Sequence, residues 1–416
     1  MREKGNILII AKVMLPYTSS FGSCQRIYYL SNYLAEKGFH VTVMAEKTGN
    51  VNKNLNAMER KYESHWLEGK PYFGLGMLNT GLAKKISGKI FNEIYESTAF
   101  QHYMWRVVNT REILRYIKKR KIQTVIISGP YFSIFGLCGK IKQRYSNVKV
   151  VLDYRDPWNL WNDGHGIASI LEKRCIQKSD KVVCFSDDFK SDMQKRFPTQ
   201  QGKYEVVYNG FYEKTWNGIE IKQTDHKSMV FKYIGGISFP AGKDDFRNPK
   251  ALIDAFLSVC IDRDMELQFI GVGKMTQEMR MVEQKSKHKI RFCSQVSVTE
   301  SLRQMTDGDV LISIHEAGNQ SDQYILSAKL FDYLRSGKVI LNIGKEGSAL
   351  SSFIKKREVG FSCENQQTVI EKKLLWLYAL WQNNGGVIER ENRNFDCSIY
   401  GRDYQNEHYR KLIERL

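Results

Sequence analysis

Residues 324–343 read YILSAKLFDYLRSGKVILNI, and the fold follows from how this stretch is parsed. A short polar loop runs into Lys329. A helix-like segment follows, with Leu330, Phe331, Tyr333 and Leu334 apolar, and Ser336-Gly337 stops it. Val339–Ile343, apolar apart from Asn342, then reads as a strand buried on both faces. A helix start offers free backbone N–H groups that can hold a phosphate. Lys329 adds a positive charge there, and Asp332, three residues on, shares its helix face and can accept hydroxyl hydrogen bonds. The pair suits a nucleotide-sugar, with lysine toward the diphosphate and carboxylate toward a ribose. The plainer reading is a solvated i,i+3 ion pair.

The same helix-then-buried-strand unit recurs in both directions. NILIIA (6–11), HVTVMA (40–45), TVIISG (124–129), VKVVLDY (148–154) and KVVCFS (181–186) read as strands, with helices at 25–37, 132–144, 167–178 and 187–196. YEVVYNGF (204–211) closes this run, and Tyr212–Asn217 reads as a linker. MVFKYIGGIS (229–238), LQFIGVG (267–273), KIRFCSQV (289–296), VLISIH (310–315) and VGFSC (359–363) continue it, with helices at 248–260, 366–383 and 399–415. Steady alternation predicts parallel sheets and two α/β domains of similar size. At 416 residues, two domains also fit the length. The boundaries are 1–214 and 215–398, with a final helix at 399–416 that can pack back on the first domain.

Composition excludes several classes. With 42% hydrophobic and 12% aromatic residues the chain is globular, not disordered. Its eight cysteines form no C-x-x-C pair, so reduced thiols are expected rather than a disulfide framework or zinc site. No run approaches 18 apolar residues, so no membrane-spanning helix is expected, and the short apolar run after the N-terminus reads as a strand, not a secretion signal. The net charge of +18 is uneven: residues 1–215 carry 34 Lys/Arg and 19 Asp/Glu, and residues 216–416 carry 29 and 26. A basic first half predicts a polyanionic partner. No nucleic-acid-binding motif occurs, so an anionic membrane surface is the expected partner. Residues 50–121 hold most of the basic and aromatic excess, and 81–95 reads either as a helix packed on its own domain with its lysines in water or as an interfacial amphipathic helix.

Three further constellations carry chemistry. Asp153-Tyr154-Arg155-Asp156-Pro157-Trp158 ends an apolar strand, where two carboxylates and an arginine can position or deprotonate a hydroxyl. Gly235-Gly236, with Lys243 and Arg247 downstream, and Gly271-Val272-Gly273-Lys274 can bring backbone and positive charge to phosphates. Asp262-x-Asp264 and Asp307-x-Asp309 read as turn and cap residues rather than metal ligands. No metal or other cofactor is expected.

In order and spacing, these motifs resemble the retaining nucleotide-sugar glycosyltransferases of the large family four, of the RDPW-containing bacterial surface-polysaccharide type. The resemblance rests on the first loop with Gly22 and Arg26, Ser128-Gly129-Pro130, DYRDPW, FSDDFKSDM, VVYNGF, YIGGIS and SAKLFDYLRSGKVIL. It covers nearly the whole chain except about 50–121. It implies the GT-B fold, two Rossmann-like doubly wound parallel-sheet domains facing across a cleft. The second domain would hold a nucleotide-sugar such as a UDP-sugar, and the first a glycan or lipid-linked acceptor. Lys329 would lie near the diphosphate, with Ser327 and Leu330 beside it, and Asp332 would bind ribose as the second acid of the family's E-x7-E. Gln295 and Val296 would meet the base, Gly22 the donor phosphates, and Asp156, Arg155 and Asp153 would be the catalytic candidates. The chain departs from the family where Tyr324 replaces the first acid and Gly236 the usual donor-site arginine, leaving Lys243 and Arg247 as phosphate cations. The implied location is the cytoplasm, peripheral at the inner face of the membrane. The alternatives are a non-catalytic nucleotide-sugar or polyanion binding protein, and a nucleotide-sugar epimerase.

Overall fold

The computed structural model describes residues 4–18, 21–49, 51–69, 103–158, 167–221, 227–237, 239, 247–315 and 324–416. The chain divides into two compact units, 1–209 with 403–416, and 210–402.

In the first unit seven strands form one sheet: β1 (Asn6–Ala11), β2 (His40–Lys47), β3 (Glu63–Glu68), β4 (Thr124–Ser128), β5 (Lys149–Asp153), β6 (Lys181–Cys184) and β7 (Tyr204–Val206). Their order is β3-β2-β1-β4-β5-β6-β7, and every pairing is parallel. β1 is central, with Ile9 between Val43 and Ile126, which is why NILIIA has no polar face to spare. Odd-numbered β1 residues join the Gln25–Glu36 helix and Tyr409, Leu412 and Ile413 of the last helix in one core. The helices Tyr103–Lys119, Leu137–Arg144 and Ile167–Lys178 pack side by side and cover the other face.

In the second unit β8 (Met229–Ile234), β9 (Met265–Val272), β10 (Ile290–Ser294), β11 (Val310–His315), β12 (Val339–Gly344) and β13 (Gly360–Cys363) form a parallel sheet in the order β10-β9-β8-β11-β12-β13. Each sheet reverses its strand order once, between β1 and β4 and between β8 and β11. In open α/β sheets ligands bind at the carboxyl ends of the strands flanking that reversal.

The structure adds elements that the pattern does not reveal. β3, ESHWLE, is an edge strand in which only Leu67 is fully covered, so its apolar signal is weak. The Tyr103–Lys119 helix buries only Trp105, Asn109, Ile113 and Ile117. Further helices span Gln277–Lys285, Val298–Thr306 and Ala349–Arg357. The proposed interfacial helix at 81–95 lies outside the described residues. No helix of the described residues is long and apolar enough to cross a membrane, and all eight cysteines are free thiols.

Candidate functional site

The stretch 324–343 is built as its pattern suggests. Ser327 is the N-cap of the Ala328–Arg335 helix, which leads to β12. Tyr333 fixes the helix to the sheet: its hydroxyl donates to the Ile312 carbonyl of β11 and accepts from the Ile234 N–H of β8, both at 3.2 Å. At the other end Arg390 donates to the carbonyls of Tyr333, Leu334 and Lys338, satisfying groups that a helix C-terminus leaves open. Leu330 is buried beneath. The helix is thus clamped across the strand-order reversal, with its N-terminus at the carboxyl edge.

That placement sets Lys329 against the turn after β8. The end of the Lys329 side chain lies over Gly235, whose φ of +129° requires glycine. Nζ donates to the Tyr233 hydroxyl at 3.4 Å and lies 4.6 Å from the centre of its ring. The Tyr233 O–H in turn donates to the Gly236 carbonyl at 3.1 Å. Lys329 has no carboxylate partner among the described residues. Burial, helped by the nearby Arg247 charge, pulls its ammonium down from 10.5 to about 8. A half-buried cation beside another cation, at a helix N-terminus, is poised to receive an anion.

Asp332 does not pair with Lys329. The Trp216 indole N–H donates to its Oδ1 at 3.3 Å. Burial pushes the carboxyl up from 3.8 to about 6, opposed by Trp216 and the Arg402 charge. The solvated i,i+3 ion pair is therefore not what the structure contains. Arg335, one turn on, is bidentate to Glu213 and stacks near Trp216, so the 213–216 segment is tied to the same helix.

The remaining second-unit candidates follow the sheet edge. Gln295 and Val296 lie in the loop after β10, Lys274 is exposed just after β9, and Gly235 and Gly236 follow β8. β10 and β8 are two strand spacings apart, about 10 Å. Arg247 is exposed, and Lys243 lies outside the described residues. Asp307 and Asp309 have structural partners: Asp307 receives Lys232 Nζ at 2.8 Å and Asp309 the Val230 N–H at 2.7 Å. Among the described residues no cluster of three His, Cys, Asp or Glu could hold a metal.

The first unit treats its acids differently. Asp153, at the end of β5, is completely buried. Arg26 Nη2 donates to Oδ1 at 2.8 Å and Ser128 Oγ to Oδ2 at 2.7 Å. Arg26 Nη1 also donates to the Val207 carbonyl at 2.8 Å. Tyr154 and Trp158 turn inward around Phe132 and Phe135. Arg155 and Asp156 are only half-buried. Arg155 donates to the carbonyls of Gly129 and Ser23, beside Gly22, which is exposed in the short turn Phe21–Ser23. Burial raises the Asp156 carboxyl, with Arg155 opposing. Tyr233, Trp216 and the sealing role of Arg26 have no local sequence signal, because each partner is more than ninety residues away.

Comparison with known proteins agrees with this architecture. No curated protein sequence matches the chain. Among solved structures, a glycosyltransferase from Rickettsia africae matches with TM-score 0.64 at 13% identity, covering 99% of this chain and 98% of that one. An apo lipopolysaccharide outer core galactosyltransferase gives 0.64 at 12%, covering 99% and 100%. Anabaena HepE, in complex with UDP and glucose, gives 0.59 at 10%, covering 99% and 100%. At these identities the likeness establishes the fold. Residues 22–213 match the model of Glycosyltransferase Family 4, so a family-four match spans nearly all of the first unit's strands and the whole chain has the two-domain GT-B fold.

Proposed function

We propose that this chain is a hexosyl or related glycosyltransferase that moves a sugar from a UDP-sugar to a hydroxyl of a glycan or lipid-linked acceptor, with retention, in surface polysaccharide synthesis. The observation that carries the reading is Lys329, an ammonium with no carboxylate partner among the described residues, held against the Gly235 turn at the strand-order reversal.

Lys329, Arg247 and the helix N-terminus would gather the diphosphate and stabilise the charge that grows on it as the glycosidic bond breaks. Asp332 would accept ribose hydroxyls, with Gln295 and Val296 near the base and Ser327 and Lys274 along the path. In the first unit the half-buried Asp156 and Arg155 are the groups left to meet an acceptor hydroxyl. Asp153, sealed under Arg26 and Ser128, holds the turn that carries them. The hydroxyl would attack on the face the diphosphate leaves. The fixed cations do the electrostatic work, so activity should persist in excess chelator.

The test is thermal unfolding with a panel of nucleotides and nucleotide-sugars, for the native chain, Lys329→Ala and Asp332→Ala, followed by product analysis with acceptor. Stabilisation by one diphosphate-sugar, lost in Lys329→Ala, supports the donor site. Conversion of a UDP-sugar to its epimer with no acceptor present would overturn transfer, and no stabilisation by any of them would overturn the donor site.

A further inference from the structure

We propose that the helical layer formed by Tyr103–Lys119, Leu137–Arg144 and Ile167–Lys178 is a docking face for an anionic lipid bilayer. The inference deepens the lipid-linked acceptor of the proposed function by naming the surface that meets the lipid.

Charge is the first observation. These three helices present nine exposed lysines and arginines and one exposed acid, Glu112, which is itself engaged by His65 at 2.8 Å. The helices on the opposite face of the same sheet, Gln25–Glu36 and Arg402–Glu414, present exposed Glu36, Asp403 and Glu414 against exposed Lys411. Among the described helices of the first unit, the exposed basic excess therefore lies on one side of the sheet. A solubilising charge distribution would have no reason to separate in this way.

The second observation is where the apolar residues lie. Of seven large exposed hydrophobic residues described in the first unit, five are on this layer: Met104, Val107 (46% exposed), Val108, Ile167 (60%) and Ile170. Each set lies in the first turns of its helix and shares a stripe with basic residues further along. Met104, Val107 and Val108 continue into Arg111, Arg115 and Lys118, and Ile167 and Ile170 continue into Arg174 and Lys178. Both helices end within a few residues of strands they lead into, β4 and β6, so both begin at the carboxyl edge. The end of the Arg106 side chain lies over Gly136, and the first turns of Tyr103–Lys119 join the Phe132–Gly136 segment that also touches Ile167–Lys178.

The layer thus has an apolar rim at the sheet edge that carries Arg155 and Asp156 and a cationic field behind it. A bilayer surface matches both parts: apolar side chains enter the acyl boundary and cations meet anionic headgroups. A nucleic acid would use the cations and leave the rim in water.

The experiment is co-sedimentation of the full chain with phosphatidylcholine vesicles, with and without phosphatidylglycerol, in the absence of any nucleotide-sugar. Arg111→Ala with Arg174→Ala removes charge, Val107→Asp with Ile170→Asp removes the rim, and Lys411→Ala on the opposite layer is the control. Thermal unfolding checks that each variant folds. Stabilisation by nucleotide-sugar reports the second unit separately, so a failed donor site and a failed docking face give different results. We expect binding only to vesicles containing phosphatidylglycerol, weakened by salt. Each lost basic residue should weaken it about five-fold, the rim pair should weaken it further, and Lys411→Ala should leave it unchanged. Equal binding by native chain and both layer variants would overturn the proposal. So would equal binding to phosphatidylcholine alone, or tighter binding to duplex DNA that survives the rim substitutions.

Discussion

Each unit carries charged side chains at the carboxyl edge of its sheet, and the two units use them in opposite ways. In the first, Asp153 at the carboxyl edge is fully buried and both oxygens are occupied, by Arg26 and Ser128. In the second, Lys329 at the carboxyl edge meets a tyrosine hydroxyl and ring and, among the described residues, no carboxylate. A buried charge with a full complement of partners is structural, and removing one partner strands the other. A buried charge without its counter-ion is strained by its surroundings, and a ligand of opposite sign relieves that strain.

The largest effect that would sharpen this contrast is on stability. Asp153→Ala should destabilise the first unit by about 3–5 kcal/mol, because it leaves Arg26 buried and uncompensated. A denaturant titration measures it. A folded, fully stable Asp153→Ala chain lacking only activity would break the comparison by making Asp153 a reacting group. Lys329→Ala should do the reverse. Its unliganded stability should hold or rise, since a buried charge is removed, while the stabilisation of about 2.7 kcal/mol expected at a hundred times the dissociation constant should vanish.

The pH dependence of donor affinity comes next. Lys329, lowered to about 8, loses its proton as pH rises past that value, and Asp332, raised to about 6, gains one as pH falls past that value. A diphosphate needs the first charged and a ribose hydroxyl donor needs the second ionised. Affinity should therefore be flat between about pH 6 and pH 8 and fall outside, by up to about tenfold per pH unit. Unliganded stability should run the other way: easing of the Asp332 penalty as pH falls through about 6, and of the Lys329 penalty as pH rises through about 8. Calorimetric titration across pH 5–9 reads the affinity, and a flat profile throughout would remove Lys329 from the site. The smallest effect is Tyr233→Phe. It keeps the ring and deletes the hydroxyl between Lys329 and Gly236, which should cost about 1 kcal/mol in donor binding and shift the alkaline break in the same titration to lower pH.

Much of this architecture was legible in residue order. NILIIA could be read as a buried strand because its run from Ile7 to Ala11 has no polar residue, and VLISIH as a strand despite Ser313 and His315 because its other positions are β-branched or aliphatic. Ser327 and Lys329 could be placed at a helix entry from the apolar spacing behind them. β3 was not legible, since an edge strand with glutamates at both ends has little apolar signal, and the Tyr103–Lys119 helix was hidden by its long exposed basic face. Within DYRDPW, residue order could not distinguish the acid that is sealed, Asp153, from the one that is half-open, Asp156.

Residue order determined the parallel α/β alternation and the position of a cation at a helix start, because periodicity and capping act over a few residues. Tertiary structure alone decided which charges are satisfied. Asp153 meets Arg26 across 127 positions and Lys329 meets Tyr233 across 96. It also decided that, among the described helices of the first unit, the exposed basic residues gather on one side of the sheet. The physical reason is that desolvation and charge pairing depend on every group packed nearby, and those neighbours come from strands and helices that the chain brings together only on folding.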